Sequence, residues 1–219
     1  MEKVTKTTLS TGTLGETTMP NRTIARLFDE YADAAHAVRE LEYFGIPRDD
    51  IGLVANNAEH RIMKESGETE AVPGAEIGAG VGALAGGGVG VLTGLGLLAI
   101  PGVGPVVAAG WLAALAVGAV GGAAAGGLLG GLVGAGISAE HANVFVEGVR
   151  RGGTLVTVRV AEEKVAEVDA ILDRNAVNPA SRRAEYAAVG WSAFDPEGPI
   201  LTKADIDRER AAAGRQPLY

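Results

Sequence analysis

Cysteine is missing from the chain altogether, which excludes disulfides, thiolate metal sites and cysteine nucleophiles. It leaves the compartment open, because a chain without thiols suits any redox environment. Histidine is scarce: His36, His60 and His141 stand far apart, with no HxH or HxxxH pairing, so no metal site is expected. Basic clusters are lacking as well. Nineteen Lys and Arg against 27 Asp and Glu leave a net charge of −8, and the largest basic groupings are the pairs Arg150-Arg151 and Arg182-Arg183. A nucleic-acid binder carries a basic patch, so no nucleic-acid partner is expected. Residues 1–20 are polar and Thr-rich without an apolar core, so they do not read as a secretory signal, and synthesis in the cytoplasm without export is the expectation.

The most informative absence is local. Between Glu76 and Glu140 no residue carries a charge, and 21 of the 33 glycines fall in residues 77–137. Many recur four apart: Gly78, Gly82, Gly86, Gly90 and Gly94, then Gly118, Gly122, Gly126, Gly130 and Gly134. Helical residues four apart share a face, so each row predicts a stripe without side chains where a second helix can approach closely, the small-xxx-small logic of membrane helix pairing. Residues 77–98 read as a first helical arm and 106–137 as a second. Between them AIPGVGP is a breaker, with Pro101, Gly102, Gly104 and Pro105 as the turn of a helical hairpin. At 1.5 Å per residue the arms reach roughly 33 and 48 Å, against a bilayer core of roughly 30 Å.

Outside this stretch the patterns are those of a small soluble fold. Residues 23–29 (TIARLFD) alternate as a strand. Residues 31–44 place Ala34, Ala37, Val38, Leu41 and Phe44 at helical spacing, with Gly45 as the residue ending the helix. Residues 51–55 (IGLVA) read as a short buried strand. After the glycine region, Ser138 is a good N-cap for a helix over 139–151. Residues 154–160 (TLVTVRV) alternate as a strand, residues 162–174 are helical, and a short strand near 176–178 is expected. Two βαβ halves with an insertion between them make an α+β, ferredoxin-like βαββαβ arrangement. The divisions are a disordered lead-in (1–21), a first βαβ half (22–56), an acidic linker (57–76), the glycine-zipper helical hairpin (77–137), a second half (138–180), and a C-terminal arm with a charged, solvent-exposed helix capped by Thr202 (181–219).

Three runs, TIARLFDEYADAAHAVRELEYFGIPRDDIGLVAN, GLLAIPGVGPVVAAGW and FVEGVRRGGTLVTVRV, resemble the bacterial general stress protein 17M-like (heat-induced stress protein, YflT-like) family over about residues 22–178. GWSAFDP also resembles the tails found beside such domains. The resemblance implies a bacterial protein associated with general stress, with no established enzymatic activity and no catalytic residues to carry over. Members of that type often lack the long glycine insert.

No chemistry-bearing motif competes with this reading. Gly78-x-Gly80, Gly88-x-Gly90 and Gly94-x-Gly96-x-x-Ala99 imitate pieces of a dinucleotide loop, yet no strand is expected before them and no acid follows until Glu140. Asp49-Asp50 fits a turn. Trp111 and Trp191 suit either a membrane interface or a packed core. The sequence therefore predicts a non-enzymatic protein with no catalytic, cofactor or metal residues and no cofactor. Its glycine-rich hairpin drives association with a lipid bilayer, self-assembly into a homo-oligomer, or both. The expected place is the cytoplasmic side of the inner membrane, with a cytoplasmic soluble assembly or a small-ligand-sensing ferredoxin-like module as the alternatives.

Overall fold

Alternating apolar residues far apart in the chain come together in one sheet. The computed structural model describes residues 21–58, 96–113 and 127–217. In chain order these hold β1 (Asn21–Phe28), α1 (Tyr31–Tyr43), β2 (Ile51–Asn56), β3 (Gly96–Ile100), β4 (Gly104–Ala109), α2 (Gly127–Gly134), α3 (Ala139–Arg150), β5 (Thr154–Ala161), α4 (Val165–Leu172), α5 (Pro179–Ala188) and α6 (Lys203–Ala212). The sheet has the order β1-β5-β2-β4-β3, and every neighbouring pair is antiparallel. The protein is thus mixed α+β, built on a five-stranded antiparallel sheet.

Because β5 lies antiparallel to both β1 and β2, those two strands are parallel to each other and are linked across β5 by α1. After β5 and α4 the chain returns to the outer edge of β1, where the Val177 N–H donates to Leu27 O at 2.7 Å. The strand expected at 176–178 is reduced to that contact: no strand is assigned there.

Successive strand residues point to opposite faces, and both faces of this sheet are covered. Ile24 and Phe28 of β1, Leu53 of β2, and Val156 and Val158 of β5 join Val38 and Leu41 of α1 and Val168 and Leu172 of α4 in one apolar layer. Ala25, Leu27, Val54 and Leu155 face the other way and pack with Leu128 and Leu132 of α2 and Phe145, Val146 and Val149 of α3. A strand buried on both sides reads as a continuous apolar run, which is why β2 is buried at all six residues.

Local signals set the element ends. Ser138 Oγ accepts from the His141 N–H and starts α3, Gly45 ends α1 with φ +91°, and Thr202 and Asp205 form a reciprocal capping box on α6. Helix α3 lies close to β1 at Gly148, where an added Cβ would come within 2.3 Å of Leu27 Cδ2.

The main correction falls on the glycine region. Residues 96–98 and 106–109, expected within helical arms, belong to strands β3 and β4, which pair from Gly96↔Ala108 to Ile100↔Gly104. The breaker is therefore the turn of a β-hairpin rather than of a helical one: residues 101–103 form the turn, and Gly104 and Pro105 open β4. Chain direction reverses where expected, but the arms next to the reversal are extended. Pro105, at the start of a strand, costs little in missing ladder donors, and its carbonyl accepts from the Asn57 N–H at 2.9 Å. Helix is present at 111–113 and over α2. Among the described residues no helix is long and apolar enough to cross a membrane. The expectations for 1–20, 59–95 and 114–126 lie outside the described residues.

Candidate functional site at the hairpin turn and the C-terminal arm

The turn residues singled out from the sequence gain a second role. Gly102 and Gly104 have φ of +71° and +100°, a region that L-residues with a Cβ avoid, and both lie under the C-terminal arm. A Cβ on Gly102 would meet Asp195 O at 2.7 Å and Pro196 Cα at 2.8 Å; one on Gly104 would meet Ile200 Cγ2 at 2.8 Å. Glycine thus serves both the turn and the close passage of another segment across it.

Side chains of α3 hold that segment from below. Asn143 Oδ1 accepts from the Phe194 N–H at 3.0 Å, and Arg150 Nη2 donates to Pro199 O at 2.7 Å. Arg150 is itself steered by Glu147, which is fully buried and binds Arg150 Nη1 at 3.1 Å and Arg151 Nε at 2.6 Å. A buried carboxylate between two guanidinium groups keeps its charge partnered, as burial demands. Arg151 reaches on to Glu209 of α6 at 2.9 Å and lies 4.6 Å from the ring centre of Tyr186.

The helices flanking the arm are tied to the end of β1. Arg182 of α5 grips both oxygens of Asp29. Arg210 of α6, 1% exposed, binds Glu30 and donates to Asp29 O at 3.0 Å, and Arg215 adds a contact to Asp29. Burial alone would raise the Asp29 carboxyl, yet the Arg182 hydrogen bond and the charges of Arg182, Arg215 and Arg210 hold it below its ordinary value. Burial pushes the Tyr186 hydroxyl up, so the ring stays neutral between its arginine neighbours. Ile206 and Arg210 are buried, so the helix expected to be solvent-exposed is anchored on one side.

Of the glycines expected to mediate helix packing, Gly78, Gly82, Gly86, Gly90, Gly94, Gly118, Gly122 and Gly126 lie outside the described residues. Gly130 and Gly134 are on α2, and a Cβ at either would meet nothing within 4 Å. The close approaches fall instead at Gly52, Gly110 and Gly148: a Cβ at Gly110, whose φ is +66°, would lie 1.8 Å from Ile51 O. Trp111 is half-buried, with the Arg159 guanidinium 5.3 Å from its ring centre.

Sequence reasoning found the glycine turn but not Asp29, Asn143, Glu147 or Arg210. Its only signal for the ionic part was the isolated pairs Arg150-Arg151 and Arg182-Arg183, and both supply the network.

Chemically, the arrangement grips a peptide segment; it does not set a nucleophile against a base. Among the described residues no group of three or more His, Asp or Glu could hold a metal ion. An open groove of about 590 Å³ on the opposite helical layer is lined by His36, Arg39, Glu40, Tyr43, Phe44 and Arg174, with Glu40 engaged by Arg174 and His36. No protein-family model, no curated protein and no solved structure matches the chain.

Proposed function

We propose that this is a non-enzymatic bacterial general-stress protein whose α+β head carries charge-free, glycine-rich segments and uses them for membrane association on the cytoplasmic side of the inner membrane. The head is read as ferredoxin-like with an insertion. In support, α1 and α4 share one face, β5 separates β1 from β2, and Val177 occupies the outer edge of β1. The hairpin β3–β4 and α2 then lie within the insertion of residues 77–137, and α3 opens the second half.

One observation carries the functional reading. The pairing of Gly96 with Ala108 puts the start of β3 beside the end of β4, so the chain enters from residue 95 and leaves toward 114 at the same end of one hairpin. Both adjoining segments lack charge throughout. The two uncharged stretches therefore join the described fold next to that end of the hairpin, which is what joint insertion into a bilayer would need.

A second reading, a soluble homo-oligomer, is favoured by α2. Gly130 and Gly134 leave open space on that helix, and Val133 is 43% exposed.

The test is carbonate and detergent extraction of cells making the chain, alongside a Leu84→Lys/Val89→Lys variant, with size-exclusion of the soluble fraction. Each lysine costs roughly 2.5–3.5 kcal/mol at a bilayer centre. Protein that resists carbonate, yields to detergent and becomes carbonate-soluble in the variant supports membrane association. A carbonate-soluble large particle overturns that reading in favour of assembly, and a soluble monomer overturns both.

A further inference from the structure

We propose that residues 189–202 are a latch that holds the β3–β4 hairpin on the sheet, and that its release lets the hairpin detach while the rest of the head stays folded. The hairpin is the outermost part of the sheet: β3 has only β4 as a described neighbour, and β4 joins β2 from Leu53↔Ala109 to Asn56↔Val106, with one further bond from the Asn57 N–H to Pro105 O. The latch crosses the hairpin at its turn, with Asp195 and Pro196 over Gly102 and Ile200 over Gly104. It contains no helix or strand. Apart from bonds to α5 and α6 at its two ends, such as the Trp191 N–H to Tyr186 O at 3.0 Å, it is bound by two side chains of α3: Asn143 accepts from the Phe194 N–H and Arg150 donates to Pro199 O.

The segment is also placed to move alone. Gly190, at its start, has φ +87°, and a Cβ placed there would meet nothing within 4 Å. Asp195, Pro196 and Glu197 are exposed. The helices on either side are secured independently, α5 by Arg182 on Asp29 and α6 by Arg210 on Glu30. Opening the latch therefore leaves both anchors in place, which marks a segment of low local stability between stable ones.

The test is hydrogen exchange on the full chain, read at the amides of residues 97–99 and 106–108, with those of β1 and β5 as an internal reference. Asn143→Ala/Ile200→Asp removes one hydrogen bond and the apolar contact over Gly104. We expect exchange in β3–β4 to rise tenfold or more with β1 and β5 unchanged. Unchanged exchange in β3–β4, or an equal rise everywhere, overturns the latch. The cysteine-free background allows a second variant, Asn143→Cys/Phe194→Cys. Its oxidised form should exchange at least tenfold more slowly in β3–β4 than its reduced form. Equal rates, or failure of the pair to oxidise, count against it. The readout involves neither lipid nor a second copy, so it stands or falls apart from the membrane reading.

Discussion

Arg182 and Asp29 meet fork to fork, with Nη1–Oδ1 and Nη2–Oδ2 both at 2.8 Å, and so fasten α5 to the end of β1 across 153 positions of sequence. Arg182 is almost wholly buried while Asp29 keeps about a third of its side chain in water. Removing the arginine leaves a half-buried carboxylate without its main partner. Arg182→Met should cost about 2–4 kcal/mol in urea unfolding. The double variant with Asp29→Asn should recover part of that loss, because the orphaned charge is gone.

The same carboxylate sets a pH dependence. Its folded-state value is depressed, so as pH falls the unfolded chain binds the proton first. Its stabilisation is complete above the unfolded value of about 4 and is lost as pH falls through the lower folded value. Urea midpoints measured between about pH 2 and 7 should fall below about pH 4, and Asp29→Asn should flatten that limb. An identical slope in the variant would contradict the assignment.

Two glycine substitutions separate internal packing from an open face. Gly148→Ala puts a methyl 2.3 Å from Leu27 Cδ2 in a filled layer, and overpacking of this kind costs about 1–3 kcal/mol. Gly130→Ala meets nothing and should stabilise α2 by about 0.5–1 kcal/mol through helix propensity. If Gly130→Ala raises the melting temperature yet reduces particle size on size-exclusion, α2 lies in an interface between copies.

Gly110→Ala should be the most damaging single methyl. It combines a left-handed φ with a Cβ 1.8 Å from a backbone oxygen of β2, and no rotamer change relieves a backbone collision. A loss beyond about 4 kcal/mol, or failure to fold, is expected, judged by circular dichroism.

Where one residue type alternated cleanly, the sequence was enough. Ile24 against Ala25, and Leu155 against Val156, reveal β1 and β5, and the spacing of Ala34, Val38 and Leu41 reveals α1. Strands β3 and β4 escaped because residues 96–109 are apolar throughout, and a short apolar run reads equally as buried strand or buried helix. The usable hint was β-branched: Val103, Val106 and Val107 around a Pro-Gly turn. Helix α5 carried its own signal, Asn178 capping with Pro179 at the first position. The arginine network was illegible because Arg182 and Arg210 find their acids at Asp29 and Glu30, and nothing local encodes a pairing of that range.

The position of β5 between β1 and β2 also dictates an order of events during synthesis. A ribosome delivers β1, α1 and β2 early, yet these two strands do not touch each other and their shared neighbour ends only at Ala161. The whole uncharged stretch of residues 77–139 therefore leaves the exit tunnel before the sheet that carries it can close. If that stretch enters lipid as proposed, the choice between lipid and water falls during translation, before the sheet closes.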